Sequence, residues 1–295
     1  MQQNQITGIG EILWDKLPEG KQLGGAPLNC IYHAQQLGFE GAIVSSVGKD
    51  ENGKEILEKI EDKNLTTEYI KNDPRHPTST VEVELDEKGE AKYNIIEEVA
   101  WDYLDYNQKI ENLSQNSEAV CFGTLAQRNK HSRKTIQKFL KQTSNECIVI
   151  LDINLRQNYY NKQIIQKSLD SANVLKLNQD ELSILIKFFD LTKQEDKALQ
   201  ILLDEFDLIM IALTKGKEGS KLLNRRHSST LKPLDTKIED TVGAGDSFTA
   251  AIVNGLIRGL PLQKIHQDAN LLASFVCTQK GATPRIPQNI LNKIG

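Results

Sequence analysis

The chain has 295 residues, with 36 Lys and Arg against 40 Asp and Glu for a net charge of −4. That length suits one large domain or two modest ones. With 39% hydrophobic and 26% charged residues a packed core is within reach, and so balanced a charge excludes a nucleic-acid groove or a polybasic membrane anchor. The longest apolar runs are strand-sized, well short of the roughly 18 residues of a spanning helix. The first residues, Met-Gln-Gln-Asn-Gln-Ile, have no basic start and no apolar stretch, so no secretion signal is read and a cytoplasmic location is expected. Cys30, Cys121, Cys147 and Cys277 form no C-x-x-C pair and read as buried thiols rather than a disulfide framework. The five histidines lack metal-ligand spacing.

In chain order, residues 6–13 predict a strand. Asp15 closes the run Glu11-Ile-Leu-Trp-Asp15 and can accept hydrogen bonds from two hydroxyls. The segment Gly24-Gly-Ala-Pro-Leu-Asn29 opens a helix over 27–37 that stops at Gly38. Gly25 there permits close backbone approach to a ligand, and Asn29 offers a donor and an acceptor to sugar hydroxyls; a plain Gly-Gly turn is the alternative. Residues 41–47 predict a strand. Residues 53–63 predict an amphipathic helix with Ile56, Leu57 and Ile60 on one face. The intervening Gly48-Lys-Asp-Glu-Asn-Gly-Lys-Glu55 nearly matches a P-loop, but Glu55 stands where a Mg²⁺-binding hydroxyl is needed. It reads instead as a loop with Asp50 capping the helix. Residues 78–96 alternate with period two, Val81, Val83 and Leu85, then a turn over 87–90, then Ala91, Tyr93 and Ile95. This is an antiparallel hairpin projecting as a small sheet, with Gly20–Gly24 able to add a strand. Its apolar face needs a cover, from a substrate cleft or a second subunit.

Four short, nearly all-apolar runs follow, at 119–123, 148–153, 174–177 and 208–213, interleaved with helical patterns such as 130–141, 179–188 and 196–205. Strands apolar on both faces and alternating with helices predict a mostly parallel sheet covered on both sides. Residues at the ends of these strands are the candidates for chemistry. Arg156, in Asp152-Ile-Asn-Leu-Arg156, can fork onto a phosphate or sugar oxygen, or make a surface salt bridge. Asn178 is a helix cap, and Glu181, three residues on, can close a capping box or hold a Mg²⁺-bound water. Thr214-Lys-Gly-Lys-Glu-Gly219 is a turn beyond a strand end.

The most informative stretch is Asp240-Thr-Val-Gly-Ala-Gly-Asp-Ser-Phe248. Gly243, Ala244 and Gly245 make a bulk-free turn into a helix, whose free N–H groups can hold a phosphate oxygen or an oxyanion without any lysine. Asp246, in the first turn, is placed to take a proton from a hydroxyl beside that anion site. A base and an anion hole within one turn suit phosphoryl transfer to an alcohol. A tight turn with Asp246 as a mere cap is the alternative.

The segments Gly24-Gly-Ala-Pro-Leu-Asn29, Asp152-Ile-Asn-Leu-Arg156, Asn178-x-x-Glu181, Thr214-x-Gly-x-x-Gly219 and Asp240-Thr-Val-Gly-Ala-Gly-Asp246, in this order, resemble the ribokinase-like (phosphofructokinase B type) family of carbohydrate kinases over residues 6–287. Trp14-Asp15, Ala100-Trp-Asp-Tyr103, Gly123-Thr-Leu-Ala-Gln-Arg128 and the Asn-Leu-Arg run are most similar to bacterial fructokinases. The resemblance implies a single α/β domain, residues 1–295, with a three-layer α/β/α body, a mostly parallel central sheet and a small β-sheet lid from about 12–24 and 78–104. It implies transfer of the γ-phosphoryl group of ATP, with Mg²⁺ and a K⁺-type cation, to a hydroxymethyl of a free sugar, fructose first. Ribose, 2-keto-3-deoxygluconate, a nucleoside or a sugar phosphate are the other acceptors, Arg128 and Arg156 keeping the last open. A non-catalytic sugar-responsive binding protein is the reading from another class.

Carried over by resemblance, Asp246 is the base and Gly243, Ala244, Gly245 and Asp246 form the anion hole. Asp15, Gly25, Asn29 and Arg156 touch the sugar. Asn178, Thr214, Gly216, Gly219, Gly245 and Asn270 lie along the nucleotide. Glu181 reaches Mg²⁺ through water, and Asp240 with the backbone of Val242 and Gly281 forms the monovalent-cation site. A homodimer through the lid is implied, with no nucleic-acid or membrane partner. Gly10-Glu11 departs from the Gly-Asp of many relatives and bears on sugar preference.

Overall fold

The computed structural model describes residues 4–17, 20–85 and 91–295, and the side chains of these except Leu17 and those of 82–85 and 91–93. The first third runs β1 (Gln5–Ile9), β2 (Leu13–Leu17), β3 (Gly20–Gly24), α1 (Ala26–Gln36), β4 (Glu40–Gly48), α2 (Glu51–Asp62), β5 (Ile70–Asp73), β6 (Thr80–Leu85) and β7 (Ala91–Ile95). Next come α3 (Gln108–Asn116), β8 (Ala119–Phe122), α4 (Lys130–Gln142), β9 (Ile148–Asp152), α5 (Lys162–Leu169), β10 (Val174–Asn178) and α6 (Gln179–Phe189). The chain closes with α7 (Glu195–Glu205), β11 (Met210–Thr214), β12 (Ser220–Leu223), β13 (Ser228–Leu231), α8 (Ala244–Ile257), α9 (Leu262–Cys277) and α10 (Gln288–Leu291).

Nine strands form the main sheet, in the order β13-β12-β11-β10-β9-β8-β1-β4-β5. From β11 to β5 every pairing is parallel; β12 and β13 add an antiparallel edge. The central strands are apolar on both faces because both are covered. On β8, Val120 and Phe122 join the core beneath α3 to α7, while Ala119 and Cys121 join the one beneath α1, α2, α8 and α9. Val149 and Leu151 against Ile150, and Ile211 and Leu213 against Met210 and Ala212, repeat the division on β9 and β11. Three layers result, α/β/α, as the alternation of apolar runs and helical patterns requires.

The second sheet has four strands in the order β3-β2-β6-β7. The hairpin expected over 78–96 is β6 and β7, antiparallel, with Val81 opposite Ile95, Val83 opposite Tyr93 and Leu85 opposite Ala91. Its turn over 87–90 lies outside the described residues. Gly20–Gly24 does contribute a strand. Leu13, Val81 and Ile95 pack into the body core, while Trp14 is buried toward α2 and donates Nε1–H to the Asn52 carbonyl at 3.0 Å. Asp50 caps α2 as expected, accepting from the Gly53 amide at 2.8 Å.

One element reads differently. Residues 6–13 are not one strand: β1 ends at Ile9, the chain turns through 10–12, and Leu13 begins β2 of the other sheet. Hydropathy stays apolar across the break because Ile12 is fully buried too. At the break the Glu11 carboxylate turns back to its own amide and to the Ala26 amide that opens α1.

Candidate active site

The first turns of α1 and α8, the turn after β1 and Asp15 of the lid sheet come together beyond the carboxyl ends of the parallel strands, where ligands of open α/β sheets bind. The floor there is the turn into α8. Gly243 caps that helix in the left-handed region (φ 78), and a Cβ there would collide with the Ala282 carbonyl, so only glycine fits. The Ala282 carbonyl is itself held by the Nε2–H of buried His33 at 2.9 Å. Burial pulls the His33 imidazole down to about 4, against its bond to Ala282, so the ring is neutral and acts as a donor. The Val242 amide donates to Asp240 Oδ1 at 3.0 Å, and the Ala244 amide closes a turn on the Thr241 carbonyl at 3.3 Å. The amides of Gly243, Gly245 and Asp246 have no hydrogen-bond partner among the described residues. Of the four residues expected to offer amides, three remain available, and Ala244 is turned inward.

Asp246 occupies the first turn of α8, and its Oδ2 accepts from Asn29 Nδ2 at 2.8 Å. Asn29 is buried, and its Oδ1 has no partner among the described residues. A buried, unpartnered acceptor beside a carboxylate fits a ligand hydroxyl. Gly25, the cap of α1 (φ 122), leaves room where a Cβ would strike the Glu11 carbonyl.

Three carboxyl groups face this space. Burial pushes Asp246 up to about 6, Asp152 adds to the push, and Lys176, the Asn29 bond and Arg156 pull it back. Burial also pushes Glu11 up to about 6, against the Glu11 and Ala26 amides and Arg156. Glu11 Oε2 is buried without a partner. Asp15, on β2 of the lid against Gly24, is pushed up to about 6 by burial, with Arg156 opposing. Arg156 is exposed, yet its charge is felt by all three carboxyls. Asp15, Gly25, Asn29, Arg156 and Asp246 are thus brought to one cleft, and Glu11 joins them. The Gly-to-Glu step at 10–11 was its only sequence signal.

The structure also brings in Lys176 and Asp152, which motif reading passed over. Their Nζ and Oδ1 lie 3.0 Å apart across β10 and β9, beneath α8, and both residues are buried. A lone Lys inside Val-Leu-Lys-Leu-Asn and an Asp ending Ile-Val-Ile-Leu-Asp were the available signals. Glu181 closes the capping box of α6: Oε2 accepts from the Asn178 amide at 2.7 Å, Oε1 from the Leu155 amide at 2.9 Å, and Asn178 Oδ1 accepts from the Glu181 amide at 2.9 Å. One lone pair per Glu181 oxygen remains for water. No cluster of three His, Cys, Asp or Glu among the described residues could cage a metal. A Mg²⁺ here would be held largely by phosphate oxygens, as that ion commonly is.

Thr214 ends β11, and Gly216 and Gly219 bracket a short 3-10 turn leading to β12. Asn270, on α9, donates to the Lys232 carbonyl at 2.8 Å. Asp240 gathers its expected companions, since its Oδ2 accepts from the Gly281 amide at 3.0 Å while Oδ1 holds Val242. Each Asp240 oxygen keeps a further lone pair, an acceptor of the hard kind a monovalent cation takes. Arg128 is held within the protein. Its Nε and Nη2 fork onto Asp102 at 2.9 and 2.8 Å, Nη2 also reaches the Ile96 carbonyl, and its plane stacks on Trp101 and Tyr159. That fork fastens the root of the lid and leaves Nη1 without a partner among the described residues.

A carboxylate beside free helix-end amides, under a small lid on a three-layer body, defines a kinase of small hydroxylated molecules. The chain belongs to the pfkB family carbohydrate kinases, which it matches over residues 19–289. It is 27% identical to an uncharacterized sugar kinase of Pyrococcus horikoshii, over 95% of this chain and 93% of that protein. The structure of that kinase in complex with ATP aligns with TM-score 0.81 at 25% identity, over 94% of each chain. The chain is 26% identical to a fructokinase of Vibrio alginolyticus, over 96% of each. A fructokinase of Vibrio cholerae O395 with fructose, ADP and potassium ion bound has the same fold, with TM-score 0.79 at 22% identity over 99% and 98% of the chains.

Proposed function

We propose that this carbohydrate kinase transfers the γ-phosphoryl group of ATP to a hydroxymethyl of a free, neutral sugar, with fructose to fructose 6-phosphate as the leading reaction. The observation that carries the reading is the Asp246 carboxylate, set by Asn29 beside the free amides of Gly243, Gly245 and Asp246. Asp246 takes the proton of the attacking hydroxyl, and the amides receive the negative charge of the phosphoryl group in flight. Asn29 Oδ1, Asp15 and Glu11 supply acceptors for the remaining hydroxyls. Three carboxyls against the single Arg156 make a lining that disfavours an acceptor already carrying phosphate or carboxylate. This supports fructose over a sugar phosphate or 2-keto-3-deoxygluconate.

Thr214, Gly216, Gly219, Asn178 and Asn270 border the nucleotide in this reading. Glu181 would hold Mg²⁺ through water, and the ion would supply charge neutralisation at the phosphates. Asp240 with the backbone of Val242 and Gly281 would hold a K⁺ ion, which would supply positive charge beside the anion-holding turn. The enzyme works in the cytoplasm as a dimer built through the lid.

The test is coupled ATP turnover across fructose, mannose, ribose, 2-keto-3-deoxygluconate, a nucleoside and fructose 6-phosphate, with Asp246→Asn in parallel. Fructose should rank first, and the variant should lose about 10²–10⁴ in kcat while sugar binding persists. Fructose 6-phosphate ranking first would sink the substrate assignment. A near-normal kcat in the variant would remove Asp246 from the mechanism. Sugar-induced stabilisation without ATP consumption for any acceptor would favour a binding protein.

A further inference from the structure

Lys176 is a buried cation beneath the amino end of a helix, where the backbone dipole is already positive and a further positive charge is disfavoured. The surroundings account for its presence. Its Nζ bonds Asp152 Oδ1 at 3.0 Å, and only about a tenth of either side chain is exposed. The same Nζ lies 2.9 Å from the place a Cβ on Gly245 would occupy, so the ammonium packs directly under residue 245, one step before Asp246. One turn further along, Thr249 Oγ1 lies 3.4 Å from Asp152 Oδ2 and donates to the Gly245 carbonyl at 3.0 Å. Strands β9 and β10 thereby grip the first turn of α8 through Lys176, Asp152 and Thr249. Of the three hydrogens an ammonium carries, one is used by Asp152 and no other hydrogen bond is formed among the described residues.

We propose that Lys176 is a positioning residue for phosphoryl transfer: pinned by Asp152, its ammonium braces the Gly245-Asp246 turn from below and holds the Asp246 carboxylate in its charged form. This inference rests on the kinase reading above and adds a residue to its machinery.

The charges facing Asp246 come from several elements. Asp152 on β9 and Glu11 between β1 and β2 oppose its ionisation, while Lys176 on β10 and Arg156 after β9 favour it, and Asn29 on α1 donates to it. Lys176 itself stays protonated. Burial opposes its charge, but Asp152, Glu181 and Asp246 outweigh that and raise it above the ordinary lysine value. Removing Lys176 and removing Asp152 must therefore move the titration of Asp246 in opposite directions, which a purely structural role for the pair does not require.

The experiment uses the full chain and two readouts. One is the carboxyl ¹³C titration of Asp246, assigned by its loss in Asp246→Asn and read without substrate. The other is the pH profile of kcat and KM. Lys176→Met is expected to move the titration and the acid limb up by about one pH unit and to lower kcat on the order of tenfold or more, with sugar KM changed less than threefold. Asp152→Asn is expected to move both down. In Lys176→Met/Asp152→Asn, which orphans no charge, the shifts should largely cancel while kcat stays low. Single variants that shift the Asp246 titration the same way, or leave it unmoved, overturn the proposal. If Lys176→Met does not fold, the direction in Asp152→Asn together with kcat of the double variant decides: an unmoved titration or a wild-type kcat overturns it. Wild-type protein inactive on every acceptor removes the kinase reading instead, and leaves the ¹³C result standing on its own.

Discussion

In the proposed mechanism Asp246 sets stability against chemistry at a single carboxyl. Its ordinary value near 3.8 is raised to about 6 in the folded chain, chiefly by burial and then by Asp152. A carboxyl raised on folding binds its proton more tightly in the native state, so stability is lost progressively from about pH 4 and the loss is complete above about 6. Asp246→Asn removes that cost. At pH 8 the variant should be more stable than the parent by about 1–3 kcal/mol, the lower end allowing for the residue's partial exposure. The gain should shrink as the pH falls through 6 and vanish near 4, as followed by urea unfolding across that range. A variant less stable than the parent at pH 8 would show that the Asn29 bond outweighs the burial of the charge. The same residue shows what the sequence makes visible at this scale. Asp246, Asn29 and Gly243 stand in contiguous motifs and were legible. Lys176 was not, because its role comes from strands and a helix end that meet only in three dimensions, and Glu11 showed only as a departure at Gly10-Glu11.

At the scale of elements, one side chain ties the start of α2 to the segment leading into the lid hairpin. Asp50 Oδ1 accepts from the Gly53 amide and from Thr78 Oγ1, and its Oδ2 accepts from the Thr78 amide, all at 2.7–2.8 Å. Thr78 Oγ1 in turn accepts from the Gly48 amide at 2.9 Å. Asp50→Ala removes a helix cap and leaves the buried Thr78 short of partners, a loss of about 1–2 kcal/mol. Burial raises the Asp50 carboxyl, but its hydrogen bonds to Thr78 and Gly53 prevail and lower it. The stabilisation is thus complete above the ordinary carboxylate range and fades as the pH drops below it. Equilibrium unfolding at pH 7 and pH 3 should show a clear gap between parent and variant at pH 7 and a smaller one at pH 3. The cap itself was legible, since Asp50 precedes an amphipathic run. Its second task was not, because Thr78 is 28 residues away. The break inside 6–13 was hidden for a related reason: both sheets bury apolar side chains there, so periodicity carries no mark of the crossing. Strands β12 and β13 lie at an edge, where Ser220, Ser228 and Ser229 blur the alternation.

At the scale of the whole molecule, the body's strand order follows from the βα rhythm, while the lid raises a question of assembly. Its ladder pairs Val81 with Ile95, Val83 with Tyr93 and Leu85 with Ala91, so the apolar positions of the two strands coincide along the hairpin. Val81 and Ile95 are covered by the body. A second subunit covering the outer pairs should make the particle twice the chain mass by light scattering at micromolar concentration, and Val83→Glu should return it to a monomer. A wild-type monomer would refute this assembly. No helix among the described residues is long and apolar enough to cross a membrane.

The bond from Asn29 to Asp246 joins positions 217 apart in the chain, and that from His33 to Ala282 spans 249. During synthesis, α1 therefore leaves the ribosome long before either partner exists. A nascent chain halted at residue 239 has the lid and all nine strands of the main sheet, but neither Asp246 nor the amides beside it. In the mechanism proposed above, catalytic competence arrives only with the last fifth of translation.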